Sequence, residues 1–371
     1  MNPRPPFQYP AWSPSRVRAL LLAMLALLGA GRVPAQNIAG WGDDSLGQTD
    51  IPVAATNAIA VAAGYSHSLA LMSDGTVLAW GDNTVQQTIV PPSATNVVAI
   101  AAGYFFNLAL RADGSVVAWG DNSYGQTNVP DSLNNAVAIA AGRYHALALR
   151  ADGTVVAWGE NVHHQTNVPP SATNIIAISA GAEHCLALRR DGSALIWGGT
   201  VSGTGVNPPL VYRSKSSVPA QESAAVAAGA WHDLALTGSG SLVAWGLTSP
   251  APLVGASVAM LAGGTNYSLA LQADGTLLAW NSTSATNPAT ILPAGLSNLV
   301  AIAAGGAHGL AVVGDGSPRI YGPISFRPWA LHGSLLPLSV RAAGAAPLHF
   351  QWLADGVPID GNDSAFPQIP A

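Results

Sequence analysis

Tryptophan recurs along this chain at Trp41, Trp80, Trp119, Trp158, Trp197, Trp245 and Trp280, at intervals of 39, 39, 39, 39, 48 and 35 residues. Two glycine columns keep step with it. The first, usually written Ala-Ala-Gly, falls at Gly64, Gly103, Gly142, Gly181, Gly229, Gly264 and Gly305; the second, usually Asp-Gly, falls at Gly75, Gly114, Gly153, Gly192, Gly240, Gly275 and Gly316. The first glycine precedes the second by 11 residues in all seven copies, and the second precedes the aromatic place by 5, with Tyr321 standing in that place in the last copy. Only the stretch from Trp to the next first-column Gly varies, from 19 to 32 residues. Invariant spacing marks paired strands and variable spacing marks loops.

One copy reads as three short strands: Ala58 to Ala63, His67 to Met72 and Val77 to Trp80. Gly64-Tyr65-Ser66 turns between the first two and Asp74-Gly75 between the last two. The Asp-Gly pair predicts a type I′ hairpin, in which both central residues take positive φ. The strands are apolar on both faces, so each small sheet needs cover on both sides, and neighbouring copies can supply it. A closed circle of such sheets is a β-propeller. Charged residues make up only 9% of the chain, against about 25% in ordinary soluble domains, and burial of sheets between sheets accounts for the deficit. The expected fold is therefore all-β, a seven-bladed propeller of 39-residue repeats over residues 36–322, about 41 residues per blade. Trp41 has no copy before it. Its strand is expected to pair with the last blade and clasp the ring, with Arg319-Ile320-Tyr321 competing for the same edge.

The ends read differently. Residues 1–35 resemble an export signal: Arg4, Arg16 and Arg18 precede an apolar run from Ala19 to Ala30, and Val33-Pro34-Ala35 offers small residues before a cut at Gln36. The run is short for a bilayer span, and later apolar stretches are broken by Gly, Asp or Pro, so no membrane insertion is expected after signal removal. The mature chain would carry 10 basic and 19 acidic residues, and a single Lys, Lys215, leaves no basic patch for nucleic acid. One cysteine, Cys185, excludes an intramolecular disulfide and a cysteine zinc site. In residues 323–371, Leu338 to Gly344 and Leu348 to Ile359 look like the opening strands of a bacterial immunoglobulin-like domain with Trp352 as its core Trp. Such a sandwich needs about 100 residues, so this part is expected to be a linker and a truncated immunoglobulin-like segment.

No catalytic signature occurs: there is no Gly-x-Ser-x-Gly, no His-Glu-x-x-His and no phosphate loop. His67, His145, His184, His232 and His308 stand three residues after the first-column Gly, where the other copies have Phe106 and Tyr267. That exchange argues for a flat ring at a strand start, its imidazole bonded to nearby backbone, rather than for a metal ring. The Cys185 column otherwise holds Ser68, Asn107, Ala146, Asp233, Ser268 and Gly309, so Cys185 reads as a small strand residue. His163-His164 reads as a solvated loop pair. The informative variation lies in the two residues after each first-column Gly, which fall on one rim: Tyr65-Ser66, Tyr104-Phe105, Arg143-Tyr144, Ala182-Glu183, Ala230-Trp231, Thr265-Asn266 and Gly306-Ala307. Aromatics beside Arg and acids have the composition of protein-interface hot spots. Tyr65, Tyr104, Phe105, Arg143, Tyr144, Glu183 and Trp231, together with Asp82 and Asp121 after the Trp column, form the candidate binding rim.

The units Trp119-Gly120-Asp121-Asn122-Ser123-Tyr124-Gly125-Gln126 and His145 to Gly153 resemble the regulator of chromosome condensation repeat, which forms seven-bladed propellers. The short period, with Gln126-Thr127-Asn128-Val129-Pro130 in the connection, is most similar to secreted bacterial members such as the β-lactamase inhibitory propeller proteins. That resemblance implies a face that grips another protein. The eukaryotic founding members are nucleotide-exchange factors for a small GTPase that also bind chromatin, an activity that export and acidity argue against here. The expectation is a secreted or envelope-exposed, non-catalytic monomer that needs no cofactor or metal and binds a protein or cell-surface ligand through one rim. Two other readings stay open: a polysaccharide-active hydrolase or lyase, and an architectural repeat within a larger surface protein.

Overall fold

The computed structural model describes residues 37–199, 223–238, 240–246, 258–281 and 287–314, and, as backbone strands, Arg319–Phe326, Leu335–Ala343, Leu353–Ala354, Val357–Pro358 and Gln368–Pro370. The export signal at residues 1–35, and the immunoglobulin-like reading of residues 323–371 apart from those strands, lie outside the described residues.

Seven antiparallel three-stranded sheets form the propeller. Blade 1 is Ala58–Ala63, His67–Met72 and Val77–Gly81, and blade 2 is Val97–Ala102, Phe106–Arg111 and Val116–Gly120. Blade 3 is Ala136–Ala141, His145–Arg150 and Val155–Gly159; blade 4 is Ile175–Ala180, His184–Arg189 and Ala194–Gly198. Blade 5 is Ser223–Ala228, His232–Thr237 and Leu242–Gly246; blade 6 is Val258–Gly263, Tyr267–Gln272 and Leu277–Asn281. Blade 7 takes Leu299–Ala304 and His308–Val313 from its own copy and Asn37–Gly42 from the start of the chain. Inner strands of consecutive blades lie side by side, and the inner strand of blade 7 returns to that of blade 1, so the ring is closed.

Closure settles the competition at the last edge. Asn37–Gly42 runs antiparallel to His308–Val313 with Trp41 opposite Gly309, the register in which Trp80 stands opposite Ser68 in blade 1. A Cβ on Gly309 would come within 2.4 Å of the Trp41 ring, so the bare glycine makes room for it. Tyr321, expected in the aromatic place of the last copy, instead opposes Arg341 on Leu335–Ala343. The first described strand thereby completes the three-stranded sheet of the last blade and closes the ring.

The middle strands are buried along almost their whole length, as in His67–Met72. Their cover is the next blade: Leu69, Leu71 and Val77 of blade 1 pack with Val97, Ala109 and Trp119 of blade 2. Trp119 also donates its indole N–H to the Gln87 carbonyl at 3.0 Å, and Trp80, Trp158 and Trp197 do the same to Gln48, Gln126 and Gln165. The tryptophan column is thus inter-blade packing, with its polar edge satisfied at these positions and left without a partner among the described residues at Trp245 and Trp280.

One local expectation is corrected. Positive φ falls on Gly75 (81°) and not on Asp74, so the hairpin is a three-residue loop closed by a left-handed glycine rather than a type I′ turn. Asp74 Oδ1 accepts from the Thr76 amide (3.0 Å) and hydroxyl (2.7 Å), and this side-chain turn replaces the strained Asp conformation that type I′ demands.

Candidate functional site

A buried polar belt lies one residue beneath the rim. The His67 Nε2–H donates to Asn107 Oδ1 of the next blade at 2.7 Å, because the Asn107 amide is itself committed to the Gln87 carbonyl. The same step, from blade n to blade n+1, joins His145 to Cys185 Sγ (3.3 Å), His184 to Asp233 Oδ1 (2.8 Å), His232 to Ser268 Oγ (2.8 Å) and His308 to Ser68 Oγ (3.1 Å). Where the ring is Phe106, the facing place holds Ala146; where it is Tyr267, the facing place is Gly309 and the phenol reaches on to the His308 carbonyl. The expectation that these imidazoles bond nearby backbone is therefore corrected: they bond side chains of the next blade, 36 to 49 residues on in four cases and 240 residues apart for His308 and Ser68 across the seam. The first-column glycines exist for these rings, since a Cβ on Gly64, Gly103 or Gly142 would lie 2.2 to 2.3 Å from His67, Phe106 or His145. Burial holds His67, His232 and His308 down at about 4 and His145 at about 3. It also pushes the Cys185 thiol up, far from thiolate reactivity. Among the described residues no group of three or more His, Cys, Asp or Glu is placed to hold a metal ion.

Above the belt, the turns after the first-column glycines are stitched around the axis by backbone hydrogen bonds. The Tyr65 amide donates to the Tyr104 carbonyl (3.2 Å), Ala230 to Gly264 (3.0 Å), Thr265 to Gly305 (3.3 Å) and Gly306 to Gly64 (3.1 Å). The axial cavity inside this stitching measures about 70 Å³.

On blades 1 to 4 the predicted rim residues come together. Tyr65 packs on Tyr104 with ring centroids 5.0 Å apart and lies 5.9 Å from Phe105; Tyr104 meets Phe105 edge-on at 6.3 Å; Phe105 stacks on Tyr144 at 6.4 Å. The Arg143 guanidinium sits over Tyr104 (5.6 Å) and Tyr144 (5.1 Å) and pairs with Glu183 Oε1 at 3.7 Å. Burial raises the Tyr104 phenol pKa, so it stays protonated and faces Thr265 across the axis. Trp231 takes the equivalent turn on blade 5, half-buried.

The loops after the Trp column reach the same face. Asp82, Asp121 and Glu160 each donate a backbone N–H, at 2.9 Å, to the turn of their own blade, at Ser66, Phe105 and Tyr144. Their carboxylates are occupied within the loop: Asp82 accepts from Thr84 and Gln87, Asp121 from Ser123 and Gln126, Glu160 from Gln165. Burial raises the Glu160 pKa; His163 opposes that shift and Glu183 adds to it.

Two rim residues were not singled out by the sequence. Tyr124 packs on Tyr144 at 4.9 Å and is 49% exposed. His163, expected to be solvated, lies 3.4 Å from Glu183 and extends the charged end of the cluster. Their signal was the loop place three residues after the acid, which reads Leu46, Val85, Tyr124 and His163.

The profile described as the Regulator of chromosome condensation (RCC1) repeat matches residues 58–87, 97–126, 136–165 and 175–203, each running from the inner strand of one of blades 1 to 4 into the loop that follows its outer strand. The fold is similar to that of Prp20p from Saccharomyces cerevisiae, studied for its binding to Gsp1p and histones, at a TM-score of 0.60 and 20% identity over 76% of this chain and 92% of that one. Human WBSCR16 is similar at 0.60 and 18%, over 76% and 99%. The ectodomain of the receptor kinase CR4 from Physcomitrella patens is similar at 0.54 and 19%, over 80% and 74%. No curated protein matches the chain.

Proposed function

We propose that this chain of RCC1-type repeats is an exported, non-catalytic propeller that binds a protein partner on the aromatic rim of blades 1 to 4. The observation that carries the reading is the packing of the rim rings on one another. Tyr65, Tyr104, Phe105, Tyr144 and Tyr124 form one continuous cluster whose two ends, Tyr65 and Tyr124, are 42% and 49% exposed. Rings ordered before a partner arrives lose little conformational entropy on binding, which is what interface anchors require. Mutual stacking and the overlying Arg143 cover ring faces that a sugar would need, leaving mainly edges. The axial cavity, at about 70 Å³, is well below the roughly 300 Å³ at which small-molecule sites begin. A broad platform fits a macromolecular surface better than a metabolite. The acidic composition argues against nucleic acid, and the signal-like start supports export.

The test is a variant with Tyr65→Ala, Phe105→Ala and Tyr124→Ala, compared with the wild type for affinity to a protein partner purified on the immobilised propeller. Loss of about 2 kcal/mol or more of binding, with the thermal melt retained, is expected of hot-spot residues. Unchanged affinity would overturn the reading, as would turnover of any member of a glycan panel.

A further inference from the structure

The charges of the propeller are sorted between its two ends, and the sorting specifies the partner. Resting on the rim reading above, we infer that the rim takes a protein segment in which Lys or Arg alternates with apolar side chains.

Among the described residues, Arg111, Arg150, Arg189 and Arg190 stand at the hairpin end of the blades. There Arg111 pairs with Asp113 at 3.2 Å, and Arg150 and Arg189 reach the Ser132 and Ser171 carbonyls of neighbouring loops. That end also carries the turn residues Asp74, Asp113, Asp152, Asp191 and Asp274, so four Arg stand among five turn acids there. At the rim end Arg143 is the one Arg or Lys among the described residues, with His163 beside it, set against Asp43, Asp44, Asp82, Asp121, Glu160 and Glu183. Arg143 and His163 both lean on Glu183. The loop acids are held by neutral donors instead. Asp43 takes Ser45 and Gln48, and Asp82 and Asp121 take the corresponding residues of their own loops, so no countercharge is built in.

The spacing of apolar groups on this end matches that charge. Three residues beyond Asp43, Asp82 and Asp121 stand Leu46, Val85 and Tyr124, which are 51%, 36% and 49% exposed. The Asp43 and Asp121 loops thus each set a part-exposed carboxylate beside an exposed Leu46 or Tyr124, while the Asp82 loop presents Val85 with its carboxylate buried. A partner with bases and apolar groups in alternation satisfies both rows. Acids without a built-in countercharge on this end reject acidic segments.

The experiment is a selection of displayed random linear peptides on the folded propeller, followed by affinity measurement against two variants. One is the rim variant with Tyr65, Phe105 and Tyr124 changed to Ala. The other carries Asp43→Asn, Asp121→Asn and Glu160→Gln, which keep an acceptor oxygen for the loop donors. The expected result is rim-dependent peptides enriched in Lys and Arg. Their affinity should fall about tenfold in the charge variant and fall further as salt rises past about 0.15 M. Rim-dependent peptides that are neutral or acidic would overturn this inference and leave the rim reading standing. A selection that yields only peptides indifferent to the rim variant would overturn both. A binder of the hairpin end, unaffected by either variant, reports that the variants fold.

Discussion

The belt and the rim are neighbours in sequence, one residue apart in every blade, yet they tolerate change in opposite ways. In the belt, a departure from histidine is answered on the facing blade: Phe106 meets Ala146, and Tyr267 meets Gly309. Buried polar atoms must be partnered or removed together, so variation there is compensated pair by pair. On the rim, Tyr65, Tyr104, Phe105, Arg143 and Tyr144 stand where blade 7 has the small Gly306-Ala307, and the result is added contact surface on one arc. The accommodations there are few: Gly306 stays bare beside Tyr65, where a Cβ would lie 3.1 Å from the ring, and Glu183 faces Arg143.

The sharpest way to break the belt is acid. His67, His232 and His308 are held at about 4 and His145 at about 3, against 6.5 for an ordinary histidine, because burial opposes their charge. Between these limits the unfolded chain binds more protons than the folded one. Stability should therefore drop as pH falls from about 6.5 towards 4, by about 1.4 kcal/mol per pH unit for each histidine, and level off below the folded values. Denaturant unfolding across that window checks it; a flat profile would contradict the buried neutral belt.

Next in size is the His184–Asp233 contact, both side chains almost wholly buried. His184→Leu strands the carboxylate and is expected to cost about 3–5 kcal/mol. The double change His184→Phe with Asp233→Ala imitates the Phe106–Ala146 solution and should recover a large part of that loss in a double-mutant cycle. Gly142→Ala follows. Its Cβ would fall 2.3 Å from the His145 ring and 2.6 Å from the Gly181 carbonyl, and overpacking of this kind costs about 1–3 kcal/mol. The smallest stability effect belongs to the rim: Tyr65→Ala and Tyr124→Ala each forfeit an aromatic contact worth about 1 kcal/mol or less, a minor shift in melting temperature.

Much of this fold was legible in the sequence, because a fixed interval between two glycines and an aromatic fixes a three-stranded unit and its number of copies. The seam was not. Trp41 and Tyr321 are both aromatic at the end of a short strand, and only closure of the circle decides between them. The Asp-Gly hairpin misled because the pair suits two turn types, and Thr76 tips the balance by giving the Asp74 carboxylate two donors. The belt partners were present as a column of small and polar residues, but their pairing with the histidine of the preceding copy requires knowing which blade faces which. The rim was legible in its turns and incomplete in its loops: Tyr124 and His163 join it only because the Asp121 and Glu160 backbones bond the turns beneath them.

The account is tested most directly by hydrogen–deuterium exchange of the propeller with and without a bound protein partner. It predicts new protection at the turns and loops around Tyr65, Tyr104, Tyr124, Tyr144 and Glu183, with the hairpins at Gly75, Gly114, Gly153 and Gly192 unchanged. Protection confined to those hairpins would place the partner on the opposite end and contradict it.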